Sequence, residues 1–498
     1  MNVRPDALVG DFNIFKSWNC GHALKTPWSR SHFGDRAVGG AIMVLSDVNT
    51  RPLTKYQEKS YHDLVPCLAT KRTIQAKYVR SRYRRYSGDP AISIKGQRVG
   101  IIGGSISGCA AAAALLRSGC HVEVFERSSH GLKDRGSGIA IPGQLRDELT
   151  AKAYLPSDYH YCDVKTRWWQ FPDGSRQGRR LWTQPTLAIA NNWGNLWTAL
   201  RKLVPDANYH EGKALGAFEK TNDAIIAHFS DGMERQFDFL VGADGYHSAV
   251  RKELHPEAEP IFADYILWRG NYPEAELHDT SLIKALDCDA AWLTVPFPGG
   301  HSVLYMIPEF DGSNTPGFRR VNWGIYAPCP RALTLNGIES EPPGSITVEV
   351  FAELQSLLAS HFPPAVAELI GHSRRQDLSI QPIYDSVVDT YVSDRVLLIG
   401  DAGTMTRPHT ASGATKALED ALAIEALAQE AGNLPEFLSR YNLERCSRAK
   451  TISEIGKRIG QAQVVDTPDW GSMTSTDFEK WTRATLSGDR LYLYDANG

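Results

Sequence analysis

The sequence predicts an α/β protein in which a parallel-sheet domain is interleaved with a smaller α+β domain of antiparallel sheet and followed by long C-terminal helices. Three observations carry this. Gln97 to Arg127 reads strand, glycine turn, helix, strand; residues 262–371 hold short strand-like runs between Pro/Gly-rich loops; and Arg395 to Ile399 returns to buried-strand texture before two long helical patterns. The boundaries expected are a basic extension over 1–92, the two parts of the parallel-sheet domain at 93–261 and 372–465, the smaller domain at 262–371, and a tail at 466–498.

The first run is the most informative. Arg98 to Ile102 is apolar after its arginine, as a strand covered on both faces must be. The turn Gly103-Gly104-Ser105-Ile106-Ser107-Gly108 leads into an Ala-rich helix former, Cys109 to Leu116, and then a β-branched strand that ends on Glu126. This is the pattern of a dinucleotide-binding, Rossmann-like βαβ unit. Its turn glycines bring backbone N–H groups to a pyrophosphate at the helix N-terminus, and the terminal acid accepts from ribose hydroxyls. Serine replaces the second glycine of the usual fingerprint, at Ser105, and its hydroxyl can itself donate to phosphate. A purely structural glycine turn is the alternative reading.

Composition sets the frame. Hydrophobic residues make up 42% and charged residues 22% of 498, ordinary for a globular chain with a sizeable core. No apolar run reaches the ~20 residues of a membrane helix. Eight cysteines lie without a C-x-x-C pair, so reduced thiols and a cytoplasmic location are expected, and no Cys/His spacing suggests a metal. Residues 1–92 carry 15 Lys and Arg against 7 Asp and Glu, whereas the rest carries 39 against 50. Lys71 to Arg85 has seven basic residues and no acid, with tyrosines interleaved. A nucleic-acid patch or an address signal is weighed there against a poorly ordered extension or a mis-assigned start, and the extension is preferred.

After Glu126 comes a polar loop with Arg135 and Gly138, then a helix from Gly143 to Tyr154. Strands are expected at Trp168 to Phe171 and Arg180 to Trp182, and a helix at Trp193 to Leu203. Ala224 to Phe229 and Gln236 to Val241 flank Ser230-Asp231-Gly232, which predicts a hairpin. In the smaller domain the strands are Tyr265 to Gly270, Ala291 to Val295, Ser302 to Ile307 and Val321 to Tyr326, with helices at Ile346 to Leu358 and Ala365 to Ile370. The final helices are Ala411 to Ala431 and Pro435 to Ile459.

Three separated signatures occur in order: GGSISG with Glu126-Arg127, DGYHSAVR from Asp244 to Arg251, and GDAGTMTRPHTASGA from Gly400 to Ala414. Together they resemble the class A flavoprotein monooxygenases, the p-hydroxybenzoate hydroxylase-like family, over residues 95–465. NWGNLWTAL, ILWRGNYPE and RPHTASGA narrow the resemblance to the branch acting on hydroxypyridines.

The resemblance implies bound FAD, held by Gly103, Ser105, Gly108, Glu126, Arg127, Arg135, Gly138, Asp244, Asp401, Pro408, Gly413 and Ala414. Asp401 would take the ribityl hydroxyls and Arg135 and Gly138 would cover the flavin. It implies NADH or NADPH as a transient co-substrate, and a small electron-rich aromatic ring hydroxylated with O2 through a flavin hydroperoxide. An FAD-dependent oxidoreductase or epoxidase acting on a non-aromatic substrate is the alternative. His409 and Arg269 are the catalytic candidates, His409 for its titration near neutrality and Arg269 as a partner for an anionic ring oxygen. A loop histidine bonded to backbone and a structural strand arginine are the bland readings. No nucleic acid and no membrane are expected as partners, and a homodimer is left open.

Overall fold

The computed structural model describes residues 94–133, 137–335, 337 and 339–486. The basic extension at 1–92 and the loop residue Arg135 lie outside them. The chain divides between Tyr86 and Ser87 into two units, and every described residue belongs to the second.

A six-stranded sheet runs in the order Val392–Ser393, Val396–Leu398, Phe239–Gly242, Arg98–Ile102, His121–Glu126, Tyr209–Glu211, parallel except at its first strand. Its central strands are apolar throughout because both faces are covered. The helix Ile106–Arg117 packs its buried alanines between the sheet and the helix Ser412–Glu430, and small side chains allow that close approach. Four strands of this sheet release the chain on the same side. Glu126 ends one of them, and the loops after the other three carry Gly103, Asp244 and Asp401, at the carboxyl edge where parallel α/β sheets bind ligands.

The second sheet has ten strands and is largely antiparallel. Ile261–Pro273, Gly300–Pro308, Arg319–Pro328 and Ser379–Val387 form its centre, and Ala291–Thr294 pairs parallel with Cys162–Phe171. It draws in Gly138–Pro142, Cys162–Phe171 and Arg179–Asn192, so strands from before residue 262 complete it. The helices Val348–His361 and Pro364–Gly371 pack on its apolar face. The fold is thus α/β, with a Rossmann-like domain interleaved with an α+β domain and helices at the C-terminal end.

Two sequence expectations need correction. The run Gln236 to Val241 is not one hairpin strand. Glu234–Phe237 pairs antiparallel with Ile225–Phe229 in a separate three-stranded sheet, while Phe239–Gly242 joins the parallel sheet. The break falls at Asp238, whose carboxylate accepts from the Arg98 amide at 2.7 Å and its guanidinium at 2.8 Å, pinning the chain where it changes sheets. The second concerns residues 466–486, read as a tail. They carry the helix Ser475–Leu486, and Trp470, Phe478 and Trp481 pack on Trp169.

Candidate functional site

One cavity of about 650 Å³ lies between the carboxyl edge of the parallel sheet and one face of the antiparallel sheet. Gly103, Ser105, Glu126, Arg127, Gly138, Asp244, Arg269, Asp401, Pro408, His409, Gly413 and Ala414 all line it. Gly108 does not. A β-carbon there would sit 1.8 Å from the Gly103 carbonyl oxygen, so this glycine lets the helix start against the turn.

At the parallel-sheet end each acid is set differently. Glu126 is buried; its oxygens accept from the Gly104 amide at 2.8 Å and the Ser128 amide at 2.9 Å, which ties the turn to the strand end. Asp244 accepts from the Ser248 hydroxyl at 2.5 Å and the amides of Ala249 and Val250 at 2.7 and 3.2 Å, so it shapes its own loop. Burial pushes its carboxyl above the ordinary range, against the pull of those donors. Asp401 has no hydrogen-bond partner for its carboxylate among the described residues. Burial raises it too, opposed by Lys416 and Arg251. Arg251 is 1% exposed and donates to the carbonyls of Tyr246, Asp401 and Ala402, joining the second motif to the third.

Two helices point their N-termini at this end. Ile106–Arg117 begins at Ser105, and Ser412–Glu430 begins after Ala411, which is held at φ +50°. A non-glycine residue in the left-handed region is strained, and such strain gathers at functional sites. A β-carbon added to Gly413 would meet no protein atom within 4 Å, so the backbone there faces open space.

The antiparallel-sheet end is aromatic and polar. Strand alternation turns Leu267 and Arg269 toward the cavity and Trp268 away into the core; Tyr305 and Tyr326 line it. Arg269 donates to the Gly138 carbonyl at 3.1 Å. His409 is buried, with Nε2 2.7 Å from the Tyr265 hydroxyl, and Arg407 reaches that hydroxyl at 3.3 Å while paired with Asp385 at 2.7 Å. Arginine can only donate, so the Tyr265 oxygen accepts from it, its own hydrogen goes to Nε2, and the network assigns the His409 proton to Nδ1. Burial, then Arg407 and Arg167, drive the His409 pKa down to about 3, so the ring is neutral at ordinary pH. Its Nδ1 has no partner among the described residues.

Sequence reading missed several residues here. Arg167, His301, Asn322 and Gln463 line the cavity, and Tyr265 stands behind His409. Gln463 sits in a five-residue π-helix, Gln461–Val465, directly after the long helix Leu434–Gly460. Such π-turns recur at functional sites. Asn192, the first residue of the NWGNLWTAL run, caps the helix Trp193–Arg201 through the Gly194 amide, while Trp193 lines the cavity.

The fold and the cavity define an FAD-binding flavoprotein of the p-hydroxybenzoate hydroxylase-like type. In fold, motif order and relatives the chain is similar to the class A flavoprotein monooxygenases. Family models match for an NAD(P)-binding Rossmann-like domain at residues 101–132, an FAD binding domain-like region at 262–385 and an FAD binding domain at 351–454. The 2,6-dihydroxypyridine 3-monooxygenase of Paenarthrobacter nicotinovorans is 29% identical, over 65% of this chain and 81% of that protein. The 3-amino-4-hydroxybenzoate 2-monooxygenase of Streptomyces cremeus is 26% identical, over 80% and 94%. Among solved structures, 2,6-dihydroxypyridine-3-hydroxylase from Arthrobacter nicotinovorans superposes with a TM-score of 0.66 at 24% identity, covering 76% of this chain and 95% of that one. Klebsiella pneumoniae HpxO complexed with FAD and uric acid gives 0.61 at 21%, covering 78% and 92%.

Proposed function

We propose that this chain is an FAD-dependent monooxygenase that uses NADH or NADPH and O2 to hydroxylate a small, electron-rich aromatic or heteroaromatic ring. The carrying observation is the cavity that joins the four loop ends of a parallel sheet to the His409 face of an antiparallel sheet. Relatives named for hydroxypyridine, hydroxynicotinate, aminohydroxybenzoate and salicylate substrates support a hydroxylated ring.

The residues present fit FAD. Free amides at the Ser105 and Ser412 helix starts suit a pyrophosphate and an electron-rich flavin edge, and both helix dipoles favour negative charge there. Glu126 and Arg127 would serve the adenosine end. Asp401, whose carboxylate meets no protein donor among the described residues, suits ribityl hydroxyls, and the open backbone at Gly413 and Ala414 suits a flat ring laid against it. Gly138, Asp244 and Pro408 complete the holding set, and Arg269, whose guanidinium donates to the Gly138 carbonyl, stays the candidate partner for an anionic ring oxygen. When bound, FAD supplies electron transfer from the nicotinamide and activation of O2.

The chain's own residues orient the ring and exclude water. His409 presents a neutral Nδ1–H donor, held in place by Tyr265, Arg407 and Asp385, and it stabilises an oxygen on the substrate rather than taking its proton. The test is direct. Purified protein should be yellow and release FAD on denaturation, and hydroxypyridines or hydroxybenzoates should accelerate NAD(P)H oxidation with labelled oxygen from O2 found in the product. Flavin-free protein, or accelerated oxidation with no labelled product, contradicts the proposal.

A further inference from the structure

The glycine turn at the start of the parallel sheet is fixed from behind. Its Gly103–Gly104 peptide is held through nitrogen, the Gly104 amide donating to Glu126 at 2.8 Å. The next peptide, Gly104–Ser105, is held through oxygen. The Gly104 carbonyl accepts from the Trp197 indole at 2.9 Å, the Tyr209 hydroxyl at 2.9 Å and the Cys109 thiol at 3.2 Å. A carbonyl oxygen has two lone pairs, so two good donors fill it and the weak thiol is a third beside them. All three donors are buried. They come from three separate elements: the helix Trp193–Arg201, the strand Tyr209–Glu211 and the helix Ile106–Arg117.

Peptide planarity turns that anchorage into a direction. Across a trans peptide the C=O and the following N–H point opposite ways. A Gly104 oxygen tied back into the core therefore aims the Ser105 N–H at the cavity, which Ser105 lines and Gly104 does not. Among the described residues no protein acceptor takes that N–H, and Ser105 caps its helix without a side-chain bond. Donors on the carbonyl also polarise the peptide, which strengthens its N–H as a donor. The fit is close: a β-carbon on Gly104 would lie 2.2 Å from the Tyr209 hydroxyl oxygen, so glycine here admits the anchor rather than a ligand. The Tyr209 ring is itself clamped by Arg201, one helical turn after Trp197, whose guanidinium lies 4.0 Å from the ring centroid.

We propose that Trp197 and Tyr209 are positioning residues for the FAD pyrophosphate. Neither lines the cavity. They act through the Gly104–Ser105 peptide, orienting and polarising it so that the Ser105 N–H meets a phosphate oxygen without rearrangement on binding. This rests on the assignment of the glycine turn to FAD, which it deepens. It also accounts for the serine in the fingerprint. Ser105 sits at φ −78°, in ordinary extended backbone, so once the peptide before it is anchored that position needs no glycine freedom.

Two variants test it. Tyr209→Phe removes one hydroxyl and keeps the ring under Arg201; Trp197→Phe removes the indole N–H. FAD release from the holoprotein is followed by recovery of flavin fluorescence, and calorimetry measures FAD and ADP binding to apoprotein, ADP carrying the adenosine and pyrophosphate without the flavin. Each variant should weaken FAD and ADP by the same factor, about three- to tenfold, the scale of one neutral hydrogen bond. Apoprotein with Tyr209→Phe should unfold at the wild-type denaturant midpoint, since Trp197 and Cys109 still satisfy the carbonyl. A merely structural role would do the reverse, lowering that midpoint while ADP affinity stays intact, and this result overturns the proposal. Wild-type affinity for ADP in both variants also overturns it. Tyr209→Phe decides the matter alone if Trp197→Phe fails to fold. Wild-type protein that binds neither FAD nor ADP would instead sink the assignment of the turn to FAD.

Discussion

The Arg251 guanidinium donates to the carbonyl oxygen of Asp401 at 3.0 Å, across 150 positions of chain. The same side chain reaches the Ala402 carbonyl at 3.2 Å and the Tyr246 carbonyl at 2.7 Å. The loops after two neighbouring parallel strands, Phe239–Gly242 and Val396–Leu398, are therefore one unit. What the sequence shows as two motifs the structure holds with one buried cation, and the separation of Asp244 from Asp401 depends on it.

Arg251→Lys should separate that unit from mere charge. An ammonium cannot span carbonyls on both loops, so the buried acceptors lose partners, at about 2–3 kcal/mol of stability. Chemical denaturation should show that loss, and FAD should dissociate more readily. A lysine variant with wild-type stability and flavin retention would make the span incidental.

Asp401→Asn keeps shape and removes charge. No protein donor among the described residues is lost, and the buried charge it removes was disfavoured by burial. The apoprotein should therefore be at least as stable as wild type while binding FAD roughly tenfold more weakly, the scale of a lost charged hydrogen bond. Fluorescence titration of apoprotein with FAD measures this. Unchanged affinity would remove Asp401 from the set that holds the cofactor.

His409 makes a pH prediction whose sign comes from its burial. The unfolded imidazole titrates near 6.5 and the folded one at about 3. Between those values the unfolded chain binds a proton that the folded chain lacks. The stability that the neutral ring contributes is thus present above about pH 6.5 and is lost as pH falls toward 3, at up to about 1.4 kcal/mol per pH unit. His409→Asn should flatten that dependence between about pH 6 and pH 4, and the pH profile of turnover should carry no step from His409 near neutrality. Parallel stability curves for wild type and variant over that interval would contradict the burial of a neutral ring.

Legibility in the sequence tracks range. The turn at Gly103, the strand end at Glu126 and the helix after Ala411 are written in contiguous residues, and each forms as its local pattern requires. The membership of Cys162–Phe171 in the second sheet depends on pairing with Ala291–Thr294, more than a hundred residues on, and no local pattern encodes it. Arg167 was hidden for a sharper reason. The register of its strand shifts between Val164 and Thr166, so the in–out alternation that would place an arginine in solvent is broken one residue before it. Tyr265 lies within a similar shift between Phe262 and Ile266, beside Asp264, which is held at φ +64°. Gln463 lies in a π-turn, whose period matches neither helix nor strand.

The C-terminal segment gives the last prediction. Trp470 is 1% exposed, its ring lies 6.1 Å from Trp169 and 5.0 Å from Trp481, and its indole donates to the Phe297 carbonyl at 3.3 Å. Trp169 also carries the Arg167 guanidinium, so this aromatic cluster is the outer support of a buried arginine that lines the cavity. Trp470→Ala should cost about 3–5 kcal/mol, as large-to-small changes of buried aromatics do. The acids and helix starts that would hold FAD belong to the opposite end, so flavin content should stay near that of wild type while affinity for the aromatic substrate falls. Denaturation curves, the flavin absorbance ratio and ring-binding calorimetry read the three effects on one preparation. Loss of flavin in step with loss of stability would show that the two ends of the cavity do not behave separately.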